Sequence, residues 1–460
     1  MNLRAHASAF GIGPSAVAAL MLLPVMAAAQ VQPGDSATIA AVADSIAAEV
    51  LKAPVAGVAI GVARGDDVVF SKAYGLSDVA ADAPLTLDDD HQIGSLTKQF
   101  TAAAVMQLVE QGRIALDDPI QKHLPDFDTQ GHTVTIHHLL NHTSGIRSYT
   151  AIYGMNPVPR ETVLDTIQKH AYDFTPGERF LYNNSGYYLL GPILEAVTGM
   201  PYAGYLRGQI FEPLGMESTS YCGYEGREVP VGYAPGDNGL TTAVLSDMEF
   251  PGAAGGLCST VSDLLAWQRA LVTGEVASAS SYERMTTPAS LESGETMTYG
   301  YGLGMGELEG ERRIAHGGGI PGYNTYLSYY PADSLGIVVL VNTTPGHTGR
   351  IEDAVARAAL GLPRNVVVDL PLTPEENARY VGTFDLGDLD VRVFEQDGVL
   401  MAQATNQRAL RMKYQGEHTF VLDAPQEIKL VFELEGDRAS GFTLHQGGET
   451  RAAPRIDGAG

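Results

Sequence analysis

Residues 95–112 read SLTKQFTAAAVMQLVEQG, a run of helix-forming residues that begins with a serine and ends at a glycine. If Ser95 opens this predicted helix, Lys98 lies one turn further along the same face and reaches the serine hydroxyl. A serine hydroxyl is a weak nucleophile near neutral pH, and a buried lysine with a lowered pKa can act as its base. The alternative is a serine that caps the helix and a lysine that faces solvent. This stretch by itself does not separate the two.

The segments on either side of this helix predict one sheet that takes strands from both ends of the sequence. Strand-like runs occur before the helix and again far after it, at residues 55–63, 67–74, 298–308, 312–315, 324–330 and 336–342. Residues 97–271 are mostly helical segments broken by Gly and Pro. This order predicts a sheet with an inserted helical lobe, and the cleft between the two is the natural place for a site.

The sequence pattern changes from about Pro371, where short runs of alternating apolar and polar residues are separated by polar turns. Regular short strands without helices predict a small antiparallel barrel or sandwich. We therefore divide the chain into a signal peptide, a main domain, a linker and a small β-barrel domain, at residues 1–29, 30–362, 363–375 and 376–460.

The N-terminus has the pattern of a secretory signal peptide. Arg4 provides the positive start, residues 16–26 form a short apolar run, and Ala27, Ala28 and Ala29 provide small residues for cleavage after Ala29. The apolar run is too short to span a membrane, and no cysteine follows it for a lipid anchor. The sequence predicts a secreted or periplasmic protein without a membrane anchor after cleavage.

The charge of the chain argues against nucleic-acid binding, and its cysteine content raises the question of a disulfide. A formal net charge of −25 repels phosphate backbones, so nucleic-acid binding is not expected. Cys222 and Cys258 are the only cysteines in the 460 residues. Spacing does not show whether they lie close enough to pair, and we expect them to remain unpaired.

A serine–lysine pair needs further groups for proton transfer and for stabilising an oxyanion, and candidates for both occur later in the sequence. The hydroxyl of Tyr182 can shuttle a proton, and the amide of Asn184 can offer a donor and an acceptor to a substrate or to Lys98. His316 precedes three glycines at a predicted strand. A strand without side chains lets a substrate approach the backbone, whose N–H can form half of an oxyanion hole.

These motifs resemble those of the serine β-lactamase and penicillin-binding-protein superfamily, in its class C β-lactamase-related branch with esterases and D-aminopeptidases. The matches are Ser95-x-x-Lys98, Tyr182-x-Asn184, and His316-x-Gly318 where many members carry Lys-Thr-Gly. Supporting likeness is found at residues 139–145, 213–216 and 255–260. The resemblance covers about residues 36–362. It implies an α+β fold, with an antiparallel sheet flanked by helices and an inserted, mostly helical lobe, while the tail resembles small lipocalin-like barrels.

The resemblance also implies a role for each site residue. Ser95 would be the acylated nucleophile, Lys98 and Tyr182 would share the general-base work, and Asn184 would position Lys98 and the substrate. The N–H groups of Ser95 and Gly319 would form the oxyanion hole, beside Gly318 and His316 in the substrate site. Neither a metal nor an organic cofactor would be needed.

The histidine at position 316, where many family members carry a lysine, affects which substrates we expect. The lysine of other members helps to hold a substrate carboxylate, whereas a histidine is largely neutral at pH 7 and offers a hydrogen bond. We therefore expect an esterase or amino-acid amidase in preference to an efficient β-lactamase. The substrate would be a small ester, amide or peptide, with a D-amino-acid peptidase or amidase and a β-lactamase as alternatives. The oligomeric state is left open.

Two further hypotheses concern other parts of the chain. His137, His138 and His142 are closely spaced, and His138 with His142 could face one way on a helix as zinc ligands do. We expect a capping or structural role for them, because no glutamate lies between them in the metalloprotease manner.

The alternative to a serine hydrolase, from another functional class, is a non-catalytic, penicillin-binding-like recognition protein that uses the C-terminal barrel.

Overall fold

The computed structural model describes residues 34–222, 229–237, 239–243, 247–291, 293–294, 296–364, 367–387, 389–405, 407–424, 428–446 and 449–457. The predicted signal peptide lies outside these ranges. The helices are α1 (Ser36–Val50), α2 (Thr97–Glu110), α3 (Ile136–Leu140), α4 (Tyr149–Tyr153), α5 (Arg160–Lys169), α6 (Asn184–Thr198), α7 (Tyr202–Leu206), α8 (Glu212–Leu214), α9 (Val261–Thr273), α10 (Ala279–Met285), α11 (Thr348–Leu360) and α12 (Pro374–Ala378).

The strands of the first part of the chain are β1 (Gly57–Arg64), β2 (Asp67–Asp78), β3 (Ala83–Pro84), β4 (His91–Gln92), β5 (Ser220–Tyr221), β6 (Tyr233–Gly236), β7 (Gly239–Thr242), β8 (Leu257–Ser259), β9 (Gly304–Leu308), β10 (Glu311–Ile320), β11 (Tyr323–Tyr330) and β12 (Leu335–Val341). Those of the C-terminal part are β13 (Gly382–Asp385), β14 (Asp390–Gln396), β15 (Val399–Ala404), β16 (Leu410–Gly416), β17 (Thr419–Leu422), β18 (Ile428–Glu435), β19 (Arg438–Gln446) and β20 (Glu449–Pro454).

A seven-stranded antiparallel sheet joins the two ends of the main domain, in the order β3-β2-β1-β12-β11-β10-β9. The predicted α+β sheet with a helical insertion is confirmed. One prediction about its edge needs correction. Residues 298–303 are not part of β9, because Gly302 has a φ of +70° and its backbone lies against the Lys98 carbonyl.

The central strands are buried on both faces, which explains why their sequences are almost continuously apolar. Val58 and Val339 contribute to the core against α1 and α11, whereas Ala59 and Leu340 contribute to the core shared with the helical lobe. Gly61 allows the close approach of α9, since a Cβ at this position would lie 2.3 Å from Val261 Cγ1. The sheet therefore holds α9 close to its inner face, and Trp267 of α9 stacks on Phe100 of α2.

The C-terminal strands form an eight-stranded antiparallel barrel that is nearly closed, as predicted. Its interior is filled by aromatic rings at centroid separations of 4.7–5.6 Å, from Tyr380, Phe384, Phe420, Phe432 and Phe442. The domain boundaries proposed from the sequence remain a prediction, and α12 begins inside the proposed linker.

The expectation that the two cysteines remain unpaired was wrong. Cys222 and Cys258 form a disulfide with a Cα–Cα distance of 5.0 Å. The cause is strand pairing: β5 runs antiparallel to β8 with Ser220 opposite Cys258, so Cys222, which donates its N–H to the Gly256 carbonyl, is a diagonal neighbour of Cys258 on the adjacent strand. Spacing along the sequence does not reveal such a contact.

Within the described ranges, none of the helices combines the length and apolar character that crossing a bilayer requires.

Candidate active site

Ser95 lies in a short 3-10 helix, Gly94–Leu96, that leads directly into α2. Gly94 adopts a φ of +53°, and a Cβ there would lie 3.0 Å from the Gly319 nitrogen. A residue with a side chain would be strained in this conformation and would crowd β10. The left-handed glycine thus brings the nucleophile next to the strand that the sequence analysis named as the oxyanion partner.

Lys98 is completely buried on the first turn of α2 and makes three hydrogen bonds. Its Nζ lies 3.0 Å from Ser95 Oγ, 2.9 Å from Asn184 Oδ1 and 2.8 Å from the carbonyl oxygen of Ala254. Burial holds the pKa of Lys98 well below its usual range. The amide and carbonyl oxygens can only accept, so a neutral amine donates both its N–H groups to them and turns its lone pair toward the serine hydroxyl.

Asn184 is held in the orientation that this arrangement requires. It is the first residue of α6, and the Asn183 side chain caps the helix by accepting from Gly186 N–H. The Asn184 amide nitrogen donates to Thr150 Oγ1 at 3.0 Å, which turns Oδ1 toward Lys98.

Tyr182 completes the group of side chains around Lys98. Its ring centroid lies 4.9 Å from Lys98 Nζ, and 38% of the residue is exposed. Burial of the hydroxyl raises the pKa of Tyr182, and a hydrogen bond with Ser95 opposes this shift. The resting tyrosine is therefore a neutral phenol that can donate a proton, and the lowered pKa of Lys98 makes the lysine the candidate for the base.

His316 lies on β10 and uses both ring nitrogens within the protein. Nδ1 is 2.6 Å from the Gly317 carbonyl oxygen, which can only accept, so Nδ1 carries the proton. Nε2 then accepts from the Tyr299 hydroxyl at 2.8 Å. Burial and the neighbouring Lys98 lower the pKa of His316 to about 4, so the ring is neutral at pH 7. The hydrogen bond to substrate that we expected from His316 is taken up by Tyr299 and Gly317 in this structure.

Gly318 determines how closely β10 approaches the nucleophile. A Cβ on Gly318 would lie 2.0 Å from the carbonyl oxygen of Ile93 and 2.2 Å from Thr325 Oγ1. Thr325 donates to the same carbonyl at 2.9 Å and ties β11 to the segment before Ser95. The structure therefore places Gly319 beside the serine because Gly318 has no side chain.

The three closely spaced histidines contact different neighbours. His137 Nδ1 lies 2.7 Å from the Tyr301 hydroxyl, and His138 forms a capping box with Thr135 at the start of α3. His142 is buried beside Tyr182. The predicted capping role is thus seen for His138.

Three groups that position the site residues were not predicted from the sequence. The Ala254 carbonyl, Thr150 and Tyr299 hold Lys98, Asn184 and His316 in place. A backbone carbonyl leaves no signal in sequence, and a threonine in a loop-rich segment has many other uses.

Comparison with known proteins identifies a family and several relatives of this chain. A family model described as Beta-lactamase matches residues 42–362. The chain is 29% identical over 428 residues to penicillin-binding protein 4* of Bacillus subtilis, covering 85% of this chain and 93% of that protein. It is 27% identical to the D-aminopeptidase of Brucella anthropi, covering 63% of this chain and 56% of that protein.

Solved structures show the same likeness. An octameric penicillin-binding protein homologue from Pyrococcus abyssi superposes with a TM-score of 0.67 at 28% identity, covering 90% of this chain and 99% of that one. A D-stereospecific amidohydrolase from Streptomyces has a TM-score of 0.61 at 27% identity, covering 69% and 98%. EstCE1, a hydrolase with promiscuous acyltransferase activity, shares the fold at 20% identity with a TM-score of 0.62, covering 70% and 99%.

Proposed function

Because the chain belongs to the beta-lactamase family, we propose that it is an exported serine hydrolase that cleaves an uncharged ester or amide through an acyl-enzyme on Ser95. The observation that carries the proposal is the buried Lys98, whose Nζ lies within hydrogen-bond distance of Ser95 Oγ and is held there by acceptors on Asn184 and Ala254. The D-stereospecific amidohydrolase and the D-aminopeptidase among the relatives support hydrolysis as the reaction class.

Acylation follows from this arrangement. Lys98 takes the proton of the Ser95 hydroxyl as Oγ attacks the substrate carbonyl carbon, and the oxyanion accepts hydrogen bonds from the N–H groups of Ser95 and Gly319. When the tetrahedral intermediate collapses, the leaving alkoxide or amine takes a proton from the Tyr182 hydroxyl. Tyr182 is reprotonated from the ammonium of Lys98.

Deacylation repeats the steps with water as the nucleophile. Water gives a proton to Lys98, its oxygen attacks the acyl carbon, and Ser95 leaves with the proton returned through Tyr182 and Lys98. The products are a carboxylic acid and an alcohol or amine.

The electrostatics of the site favour a neutral substrate. Many members of the family carry a lysine in the third motif, whereas this chain has the buried His316, whose pKa is lowered to about 4 and whose ring is neutral at pH 7. A substrate carboxylate therefore finds no positive charge on the side chain at this position. Esters come first, amino-acid amides second, and β-lactams last.

The experiment compares turnover of a p-nitrophenyl ester, a D-alanine p-nitroanilide and nitrocefin by the wild type and Ser95→Ala. We expect the ester to be cleaved fastest, loss of activity in Ser95→Ala, and a fluorophosphonate adduct on Ser95 by intact mass. Equal turnover by Ser95→Ala would contradict the proposal, and an unlabelled Ser95 would favour the non-catalytic recognition protein.

Export is part of the proposal. It is supported by the residues around Ala29 and by the disulfide, since disulfides persist in oxidising compartments. N-terminal sequencing of protein from the periplasmic and culture fractions should find a mature chain that starts at Gln30. An uncleaved N-terminus in the cytoplasm would refute this part.

A further inference from the structure

His142 holds the short segment that carries Tyr182 at three points. Its backbone carbonyl accepts the N–H of Leu181 at 3.0 Å, and its Nδ1 accepts the N–H of Asn183 at 3.1 Å. Between these bonds, its ring lies against the ring of Tyr182 with a centroid distance of 4.3 Å. Leu181 and Tyr182 are 43% and 38% exposed, so this side of the cleft depends on a few inner contacts.

The arrangement is unfavourable for stability in two respects. Since Nδ1 accepts from Asn183, the neutral ring carries its proton on Nε2, and this buried N–H has no hydrogen-bond partner among the described residues. The backbone of His142 also has a φ of +63°, which is uncommon for a residue other than glycine. Unsatisfied buried donors and strained backbones are concentrated at functional sites.

From these contacts we infer that His142 is a positioning residue, which fixes the Tyr182 hydroxyl for proton transfer to the leaving group. The inference rests on the proposed function, in which Tyr182 donates that proton. His142 touches neither substrate nor Ser95 in this role; it acts through Tyr182.

Two substitutions separate the contributions of the ring and its nitrogen. His142→Phe keeps a ring against Tyr182 but removes the acceptor of the Asn183 N–H. His142→Asn removes the ring, tolerates the left-handed backbone, and can present an oxygen to the same N–H. His132 offers a matched control, because its ring stacks on Tyr172 at the same centroid distance of 4.3 Å.

The decisive measurement is a double-mutant cycle in kcat for the p-nitrophenyl ester, made in the wild type and in the Tyr182→Phe background. Misplacing a catalytic group by about 1 Å costs on the order of 100-fold, so we expect a 10- to 100-fold loss for His142→Phe, roughly, and a smaller loss for His142→Asn. Once the Tyr182 hydroxyl is absent, the same His142 substitutions should change kcat by less than about 3-fold, because residues that act as a unit are not additive. His132→Asn should leave kcat unchanged.

Thermal unfolding of every variant separates a change in positioning from a change in folding. If His142→Phe does not fold, the His142→Asn cycle carries the test. Equal losses in both backgrounds, or no loss in the wild-type background, would overturn the inference and leave a purely structural histidine. Failure of the proposed function has a different signature: the wild type itself would show no Ser95-dependent turnover or labelling.

Discussion

Gly318→Ala tests whether the approach of β10 to the nucleophile governs catalysis. The added methyl group would lie 2.0 Å from the Ile93 carbonyl oxygen, whereas real Cβ contacts are essentially never shorter than 3.0 Å. Neither of the two atoms that the methyl group would meet can move aside easily. The Ile93 oxygen is part of the backbone, and Thr325 Oγ1, at 2.2 Å, is itself hydrogen-bonded to that oxygen. The strand therefore has to move away from the segment that ends in Ser95.

The size of the effect follows from that displacement. Even reaching the 3.0 Å limit from 2.0 Å requires a shift of about 1 Å, and a misplacement of this size lowers rates on the order of 100-fold. The N–H of Gly319 moves with the strand, and removal of one oxyanion donor costs about 10²–10³ in kcat, or roughly 3–4 kcal/mol. Overpacking at this position should also lower the free energy of unfolding by about 1–3 kcal/mol.

The assay is kcat for the p-nitrophenyl ester together with the rate of fluorophosphonate labelling of Ser95. Gly306→Ala on β9 is the matched control, because its Cβ would meet only Arg313 Nη2, at 4.0 Å. We expect a loss of about 100-fold for Gly318→Ala and less than about 3-fold for Gly306→Ala, with thermal unfolding showing both variants folded. Wild-type kcat in Gly318→Ala, or an equal loss in the control, would refute the reasoning.

Three further outcomes are expected. Burial lowers the pKa of Lys98, so kcat/KM should rise with pH through an ionisation that lies well below the ordinary lysine value of 10.5; an activity that rises only near the ordinary value would contradict its role as base. The pKa of His316 is about 4 in the folded chain and 6.5 unfolded, so the unfolded state binds more protons between these values. Because burial also lowers the pKa of His91, His138 and His142, the measurement compares urea unfolding of the wild type and His316→Gln: the stabilisation contributed by the neutral His316 ring should fall by about 2 kcal/mol from pH 7 to pH 5, and a pH-independent difference between the two proteins would argue against a buried neutral ring. Reduction of Cys222–Cys258 should lower the free energy of unfolding by about 4 kcal/mol, given a separation of 36 residues, and an unchanged denaturation midpoint would contradict this.

The fold was readable from sequence where local patterns and burial agree. The central strands are buried on both faces, so their apolar runs predicted them, and the short alternating runs after Pro371 predicted the barrel. The segment at residues 298–303 was wrongly assigned to a strand, because its conformation depends on Gly302 packing against Lys98. The disulfide was missed for the same reason, since pairing of β5 with β8 brings the cysteines together.

The pairing of Ser95 with Lys98 was determined by the sequence, because residues three apart on one helical turn are neighbours whatever surrounds them. Only the tertiary structure decided what makes that lysine a base. Its other partners, Asn184 and Ala254, lie 86 and 156 residues away and reach it through the packing of the helical lobe on α2. The same packing leaves His316 neutral and engaged, and sets His142 behind Tyr182. Spacing specifies which groups can meet within one turn, whereas charge state and orientation depend on burial and on partners that only the folded chain brings together.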